Sequence, residues 1–218
     1  MRGVWAIVVA GGSGSRFGDS LPKQFQDLGG LRVIDWALAA AGAACDGVVA
    51  VLPESYLHAT LPIGIVTVAG GASRSESVRA GLAAVPTDTA VVVVHDAARP
   101  LAEPALFERV IAAVRAGADG AVPGVPVPDT IKRVDPSGER VLETLERAAL
   151  RAVQTPQAFA ADVLRRAHAG GGEATDDAAL VEAAGATVVV VDGDPANLKV
   201  TGPDDLARAE MLLSRRSL

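Results

Sequence analysis

The chain has 218 residues, half of them hydrophobic, which suits one α/β domain with a sizeable core, and nothing in it argues for a second folding unit. Its net charge of -6 excludes a broad basic face for nucleic acid, so any polyanion must be met by locally gathered cations. The lone cysteine, Cys45, excludes an intrachain disulfide and a cysteine-based metal cluster and fits the cytoplasm, and no apolar run reaches the length of a membrane span.

From the N-terminus, Arg2 and the apolar run Val4 to Ala10 faintly resemble a signal peptide. The run continues into a Gly/Ser loop with Arg16 rather than a cleavage region, so it reads as a buried first strand. An Ala-rich helix with Trp36 and Leu38 follows over 34–44, then strands over 47–52 and 63–69. Ser73 and Glu76 form a capping-box pair that opens a helix over 74–84. A four-valine strand spans 90–96, and Pro104 sits just inside a helix that runs to about Ala116. After a strand over 119–125, Thr175 is expected to cap a helix over 176–184. A strand over 186–192 and a helix opened by Thr201-Gly202-Pro203-Asp204 complete the chain. Short Val-rich runs alternating with helices predict a Rossmann-like, doubly wound α/β fold, with buried strands in a mostly parallel sheet.

Residues 125–147 break that alternation. Prolines, the run Thr130 to Val134, a Pro-Ser-Gly turn and the run Arg140 to Thr144 read as an extended β-hairpin arm leaving the single domain of 1–218. An arm without a core of its own must pack on something. A partner subunit is the simplest candidate, and a flap over the site is the alternative.

The strongest chemical signal follows the first strand: Ala10-Gly11-Gly12-Ser13-Gly14-Ser15-Arg16-Phe17-Gly18, with Lys23 shortly after. The glycines let backbone N–H groups point at an anion, and Arg16 and Lys23 add full positive charge. No Gly-Lys-Ser/Thr follows, so this is not a P-loop, and Phe17 stands where the dinucleotide fingerprint needs its third glycine. An ordinary glycine-rich turn with two solvated cations is the alternative; the combination directly after a buried strand favours triphosphate binding.

His95-Asp96-Ala97-Ala98-Arg99-Pro100 closes the four-valine strand. In open α/β sheets ligands lie beyond the carboxyl ends of strands, which would bring Asp96 and Arg99 to the crevice of the glycine loop. Asp96 could hold a ribose hydroxyl or a metal–phosphate unit, or simply pair with Arg99. The segment Gly70-Gly71-Ala72-Ser73-Arg74-Ser75-Glu76-Ser77 offers a base-recognition edge, or only a capped helix start. Lysine is scarce, with Lys23, Lys132 and Lys199 against seventeen arginines, a hint that each is needed as a lysine.

Together these segments identify a resemblance. A-G-G-S-G-S-R-F-G with P-K-Q-F, G-G-A-S-R-S-E-S-V, V-H-D-A-A-R-P, P-D-T-I-K-R, T-P-Q-A-F, T-D-D-A and N-L-K-V-T occur in the order and spacing of one family. Over essentially its whole length the chain resembles the 2-C-methyl-D-erythritol 4-phosphate cytidylyltransferases of the non-mevalonate isoprenoid pathway. The resemblance implies a sheet of the nucleotidyltransferase type and transfer of CMP from CTP to the sugar phosphate. The products would be 4-diphosphocytidyl-2-C-methyl-D-erythritol and pyrophosphate. It also implies Mg²⁺ with the CTP and a homodimer. Arg16 and Lys23 would stabilise the α-phosphorus, and Ala10, Gly11, Gly12, Ser13, Gly14, Gly71, Ser77, Asp96 and Ala97 would hold the nucleotide. Arg147 and Lys199 would position the sugar phosphate, assisted by Arg99, Thr130 and Thr155, with the arm reaching into the neighbour's site. The chain departs from the family pattern at Ala72 and Ala196, where acidic residues are frequent; Asp194 is near enough to substitute for the second. A related enzyme acting on another polyol phosphate, such as ribitol 5-phosphate, is the alternative. Some relatives carry a fused cyclodiphosphate synthase, and the expectation for these 218 residues is the transferase alone.

Overall fold

Continuous β-branched runs can be satisfied only when both faces of a strand are covered, and the central strands meet that requirement. The computed structural model describes residues 3–11 and 21–216. In chain order its elements begin with strand β1 (Val4–Val9), a short 3₁₀ turn over Lys23–Phe25 and the small hairpin β2 (Asp27–Leu28) and β3 (Leu31–Arg32). Helix α1 (Val33–Ala44), β4 (Gly47–Leu52), β5 (Val66–Ala69), α2 (Arg74–Ala84), β6 (Val91–Asp96) and α3 (Pro104–Arg115) complete the first half. β7 (Gly120–Pro126) leads to β8 (Lys132–Val134) and β9 (Val141–Thr144), then to β10 (Arg151–Val153) and β11 (Gln157–Ala160). Helices α4 (Ala161–Ala169) and α5 (Asp177–Ala183), strand β12 (Val188–Asp192) and helix α6 (Pro203–Arg216) follow.

Among the described residues the main sheet has eight strands, with the path β10-β7-β11-β6-β1-β4-β5 and β12 on the far side of β7. β1 pairs in parallel with both β4 and β6, so the order reverses at β1 and opens a crevice at the carboxyl ends of β1 and β6. The sheet is mostly parallel as expected, with one addition: β10 and β11 run antiparallel to β7, and β11 also pairs with β6. Two expected buried strands are edge strands instead. β5 is shorter than 63–69 and largely exposed, and β12 is half-covered, because each has a neighbour on only one side.

One face of the sheet buries Phe107, Val110 and Ile111 of α3 with Ile34 and Leu38 of α1. The other buries Val78 and Leu82 of α2 with Phe159, Leu164 and Val181. Phe107 and Phe159 are fully buried, and truncating either to alanine would cost about 3–5 kcal/mol. Gly81 lets α2 lie close on β1, since a Cβ there would come within 2.5 Å of Ile7. A smaller cluster of Leu28, Val33, Leu101, Val200 and Ala209 joins the β2–β3 hairpin to α6.

Helix ends mostly follow their sequence signals. The Ser73–Glu76 capping box is present, with Glu76 N–H 3.1 Å from Ser73 Oγ and Ser73 N–H 3.4 Å from the Glu76 carboxylate. Pro104 opens α3. For α5 the cap is Asp176 rather than Thr175: the Asp176 carboxylate accepts from Ala179 N–H at 3.0 Å. A carboxylate accepts more strongly than a hydroxyl and complements the helix dipole, so the helix begins one residue later. The 125–147 segment contains the antiparallel β8–β9 hairpin, with a bulge at Arg133/Val134 and a turn in which Asp135 accepts from Ser137, Glu139 and Arg140.

Candidate active site at the carboxyl ends of β1 and β6

The crevice predicted by the strand reversal is a cavity of about 330 Å³ whose lining includes Ala10, Gly11, Lys23, Arg74, Asp96 and Lys199. β1 delivers Ala10 and Gly11, and β6 delivers Asp96. Lys23 arrives on the 3₁₀ turn, which is anchored from behind. Buried Gln24 donates its side-chain amide to the Ala10 carbonyl, and the Phe25 ring stacks on Tyr56 with centroids 4.3 Å apart. Lys199 arrives on the segment before α6, pinned where Val200 N–H donates to the Ala98 carbonyl at 2.7 Å.

Asp96 is the electrostatic centre of the cavity. One carboxylate oxygen lies 2.6 Å from Lys199 Nζ and the other 3.4 Å from Arg74 Nε. Burial opposes its charge, but Lys199 and Arg74 outweigh that effect and hold its pKa down at about 2. The local Asp96–Arg99 pair weighed from the sequence is therefore replaced by two partners distant in sequence. Arg99 instead donates to the Asn197 carbonyl at 2.7 Å, and burial lowers its pKa. Arg74 is kept charged against its own burial by Asp177 and Asp96.

Beneath Asp96 a buried polar network supports the loop. Thr155 Oγ1 accepts from Asp96 N–H at 3.0 Å and lies 3.1 Å from His95 Nδ1, while His95 Nε2 lies 3.2 Å from the Arg99 carbonyl. A carbonyl can only accept, which assigns the proton to Nε2 and makes Nδ1 the acceptor of the Thr155 hydroxyl. His95 is thus a neutral scaffold residue, its pKa lowered to about 4 by burial. Asn197 Nδ2 donates to the Thr155 carbonyl at 2.9 Å, tying the Lys199 segment to the same network.

At the other wall Ser77 Oγ donates to the Ser73 carbonyl at 2.9 Å and accepts from Gly71 N–H at 3.2 Å. Glycine at 11 and 70 permits this approach, because a Cβ on either would stand about 3 Å from that hydroxyl. Ala72 N–H is used by Glu76 at 2.6 Å, and the Asp194 carboxylate accepts from Ala196 N–H at 2.8 Å.

The cavity gathers Ala10, Gly11, Lys23, Ser77, Asp96, Ala97 and Lys199 of the residues singled out from the sequence. Gly71 adjoins it through Ser77, and Thr155 and Arg99 sit beneath and beside it. Gly12, Ser13, Gly14 and Arg16 lie outside the described residues. Thr130 and Arg147 are exposed at the arm and do not line this cavity; the Arg147 guanidinium donates to the Pro128 carbonyl at 2.6 Å. Sequence reasoning assigned no role to Arg74, Gln24 or Asp177. Arg74 carried a readable signal: a cation at the first residue of a helix opposes the helix dipole and calls for a carboxylate partner.

A crevice lined by Lys23, Arg74 and Lys199 at the switch point of a doubly wound sheet suits a nucleotide, and the comparisons place the fold in the nucleotidyltransferase class. A profile of the family described as 2-C-methyl-D-erythritol 4-phosphate cytidylyltransferase matches residues 4–215. A protein of that name from Nocardia farcinica is 49% identical, with 98% of this chain and 95% of the relative covered. Another from Streptomyces coelicolor is 46% identical over 98% of this chain and 86% of the relative. The crystal structure of 2-C-methyl-D-erythritol 4-phosphate cytidylyltransferase from Thermus thermophilus superposes with a TM-score of 0.80 at 36% identity, covering 95% of this chain and 98% of the other. The chain belongs to the 2-C-methyl-D-erythritol 4-phosphate cytidylyltransferase family.

Proposed function

We propose that this enzyme transfers the cytidylyl group of CTP to the phosphate of 2-C-methyl-D-erythritol 4-phosphate. The observation that carries the reading is the convergence of Lys23, Asp96 and Lys199 on one cavity at the strand reversal, in a chain of this family. An acceptor phosphate oxygen attacks the α-phosphorus, the bond from that phosphorus to the bridging oxygen breaks, and pyrophosphate leaves with the electron pair. The acceptor needs no general base, because a phosphate monoester with a second pKa near 6 is mostly dianionic at neutral pH. That agrees with a His95 committed to scaffolding. The task is to bring two anions together in line, so positioning and fixed positive charge supply the catalysis.

In this reading Lys23, with Arg16, takes the charge that builds on the α-phosphoryl oxygens, and Lys199 steers the acceptor phosphate. Asp96 and Ala97 hold the ribose side of the nucleotide, with Gly11, Gly71 and Ser77 along the base. Asp96, among the described residues the one carboxylate lining the cavity, suits Mg²⁺ carried mainly by the triphosphate, since no group of three potential ligands occurs among those residues. When bound, the ion would neutralise the polyphosphate and aid its departure.

The same proposal gives the arm a second copy of the chain to rest on. Val134, Val141 and Leu142 are 42–54% exposed along it, and a two-stranded hairpin is marginal without a packing partner. Arg147 and Thr130 would then serve the neighbour's cavity. Among the described residues no helix is long and apolar enough to cross a membrane, and a cytoplasmic setting suits the lone thiol.

The test is pyrophosphate release with Mg²⁺ and each nucleoside triphosphate against a panel of acceptors including ribitol 5-phosphate. Turnover is expected with CTP and 2-C-methyl-D-erythritol 4-phosphate; a clear preference for another acceptor would overturn the assignment.

A further inference from the structure

Behind the cavity runs a line of buried charge that the chemistry above does not touch. Asp177, in the first turn of α5, is fully buried. One of its oxygens lies 3.0 Å from Nε2 of buried His168, and the other lies 2.8 Å from Nη2 of Arg74. The Nε of the same guanidinium, on the edge it shares with Nη2, lies 3.4 Å from Asp96 Oδ1, and Asp96 Oδ2 faces Lys199. Asp177 itself does not line the cavity, whereas Arg74 does.

The arrangement has a physical logic. Arg74 stands at the first residue of α2, where the helix dipole disfavours a cation, so its side chain needs carboxylates to hold it there. With Asp177 fixed by α5 and by His168, one nitrogen of the Arg74 edge has a set position, and its neighbour Nε is held towards Asp96 Oδ1. Neighbouring contacts tie α5 to the sheet: Asp176 caps α5 and also accepts from Gln157 of β11 at 3.0 Å. Both acids of Thr175-Asp176-Asp177 are therefore employed, one on the helix and one towards the site.

We infer that Asp177 is a positioning residue of the nucleotide site, acting through Arg74 to orient Asp96 for the ribose of the bound nucleoside triphosphate. The inference rests on the reading of Asp96 as a nucleotide ligand. Asp177→Asn keeps the shape and removes the charge. It is expected to weaken CTP binding, titrated calorimetrically with Mg²⁺, by tenfold or more, and to change the KM for the sugar phosphate by a clearly smaller factor. A general loosening of the fold would shift both substrates together. Arg74→Gln should give a similar loss, and Arg74→Gln/Asp177→Asn should bind CTP no worse than Arg74→Gln alone, because Asp177 acts through that arginine. The double variant removes both members of the buried pair, so it carries the test if Asp177→Asn does not fold. A folded Asp177→Asn with wild-type CTP affinity, or a double variant with the two losses multiplied, would overturn the inference while leaving the proposed reaction intact. A wild-type chain that binds no CTP would instead overturn the nucleotide reading, and this inference with it.

Discussion

Lys199 Nζ sits 2.6 Å from Asp96 Oδ2, joining residues 103 positions apart across the mouth of the cavity. The ammonium side chain is 41% exposed while Asp96 is nearly buried, so the lysine both offsets a buried carboxylate and, in the proposed reading, offers a cation to the acceptor phosphate. Lys199→Ala is expected to lower kcat/KM for the sugar phosphate by roughly a hundredfold in a protein that still folds. Lys199→Arg should recover only part of the loss, since a planar guanidinium does not reproduce a compact ammonium. Steady-state kinetics with CTP saturating read both; an unchanged kcat/KM would remove Lys199 from the reaction.

Lys23 faces the same cavity from a turn held by Gln24 and Phe25. Lys23→Ala should reduce kcat by about a hundredfold while circular dichroism shows an intact fold. Near-wild-type turnover would leave the α-phosphoryl charge to other groups.

The arm yields a complementation experiment. Arg147→Ala is expected to raise KM for the sugar phosphate more than KM for CTP. Mixing Lys23→Ala and Arg147→Ala subunits should restore part of the activity if the arm works in trans. No rescue under proven subunit exchange would argue that each chain serves its own site.

His95 predicts an acid sensitivity. Its folded pKa of about 4 lies below the ordinary 6.5, so the unfolded chain binds a proton that the folded chain refuses. Its effect is therefore absent above pH 6.5 and destabilises progressively as pH falls towards 4, by about 3 kcal/mol in all. Asp96, depressed to about 2 from 3.8, adds a further loss only below pH 3.8. Urea unfolding at steps between pH 7.5 and 4.5 should show the decline, and His95→Gln, which offers a donor and an acceptor without titrating, should flatten it. A slope identical in the two proteins would assign the decline to other groups.

What could be read from the sequence follows from the range of the forces involved. The parallel strands were legible because burial on both faces demands unbroken Val-rich runs, and helix starts because Ser73, Glu76 and Pro104 act within a few residues. β11 was not legible: the four residues Gln157 to Ala160 are too few, with alanines on either side of Phe159, to show a strand pattern, and the strand exists because β6 and β7 supply partners on both sides. Of the candidate site, Gly11 and Asp96 were legible because they lie at strand ends, and Lys23 and Lys199 because lysine is scarce in this chain. Its wiring was not. Asp96 takes Arg74, 22 residues away, over Arg99 nearby, because Arg99 is drawn to the Asn197 carbonyl, and only the fold brings Asn197 there.

The small cluster of Leu28, Val33, Leu101, Val200 and Ala209 has a meaning beyond its size. It fastens residues early in the chain to residues late in it, as a clasp closes a bracelet. Val200 of this greasy joint directly follows Lys199, and Leu28 lies five residues beyond Lys23, so the joint helps hold in register the two chain segments that bring those lysines to one cavity.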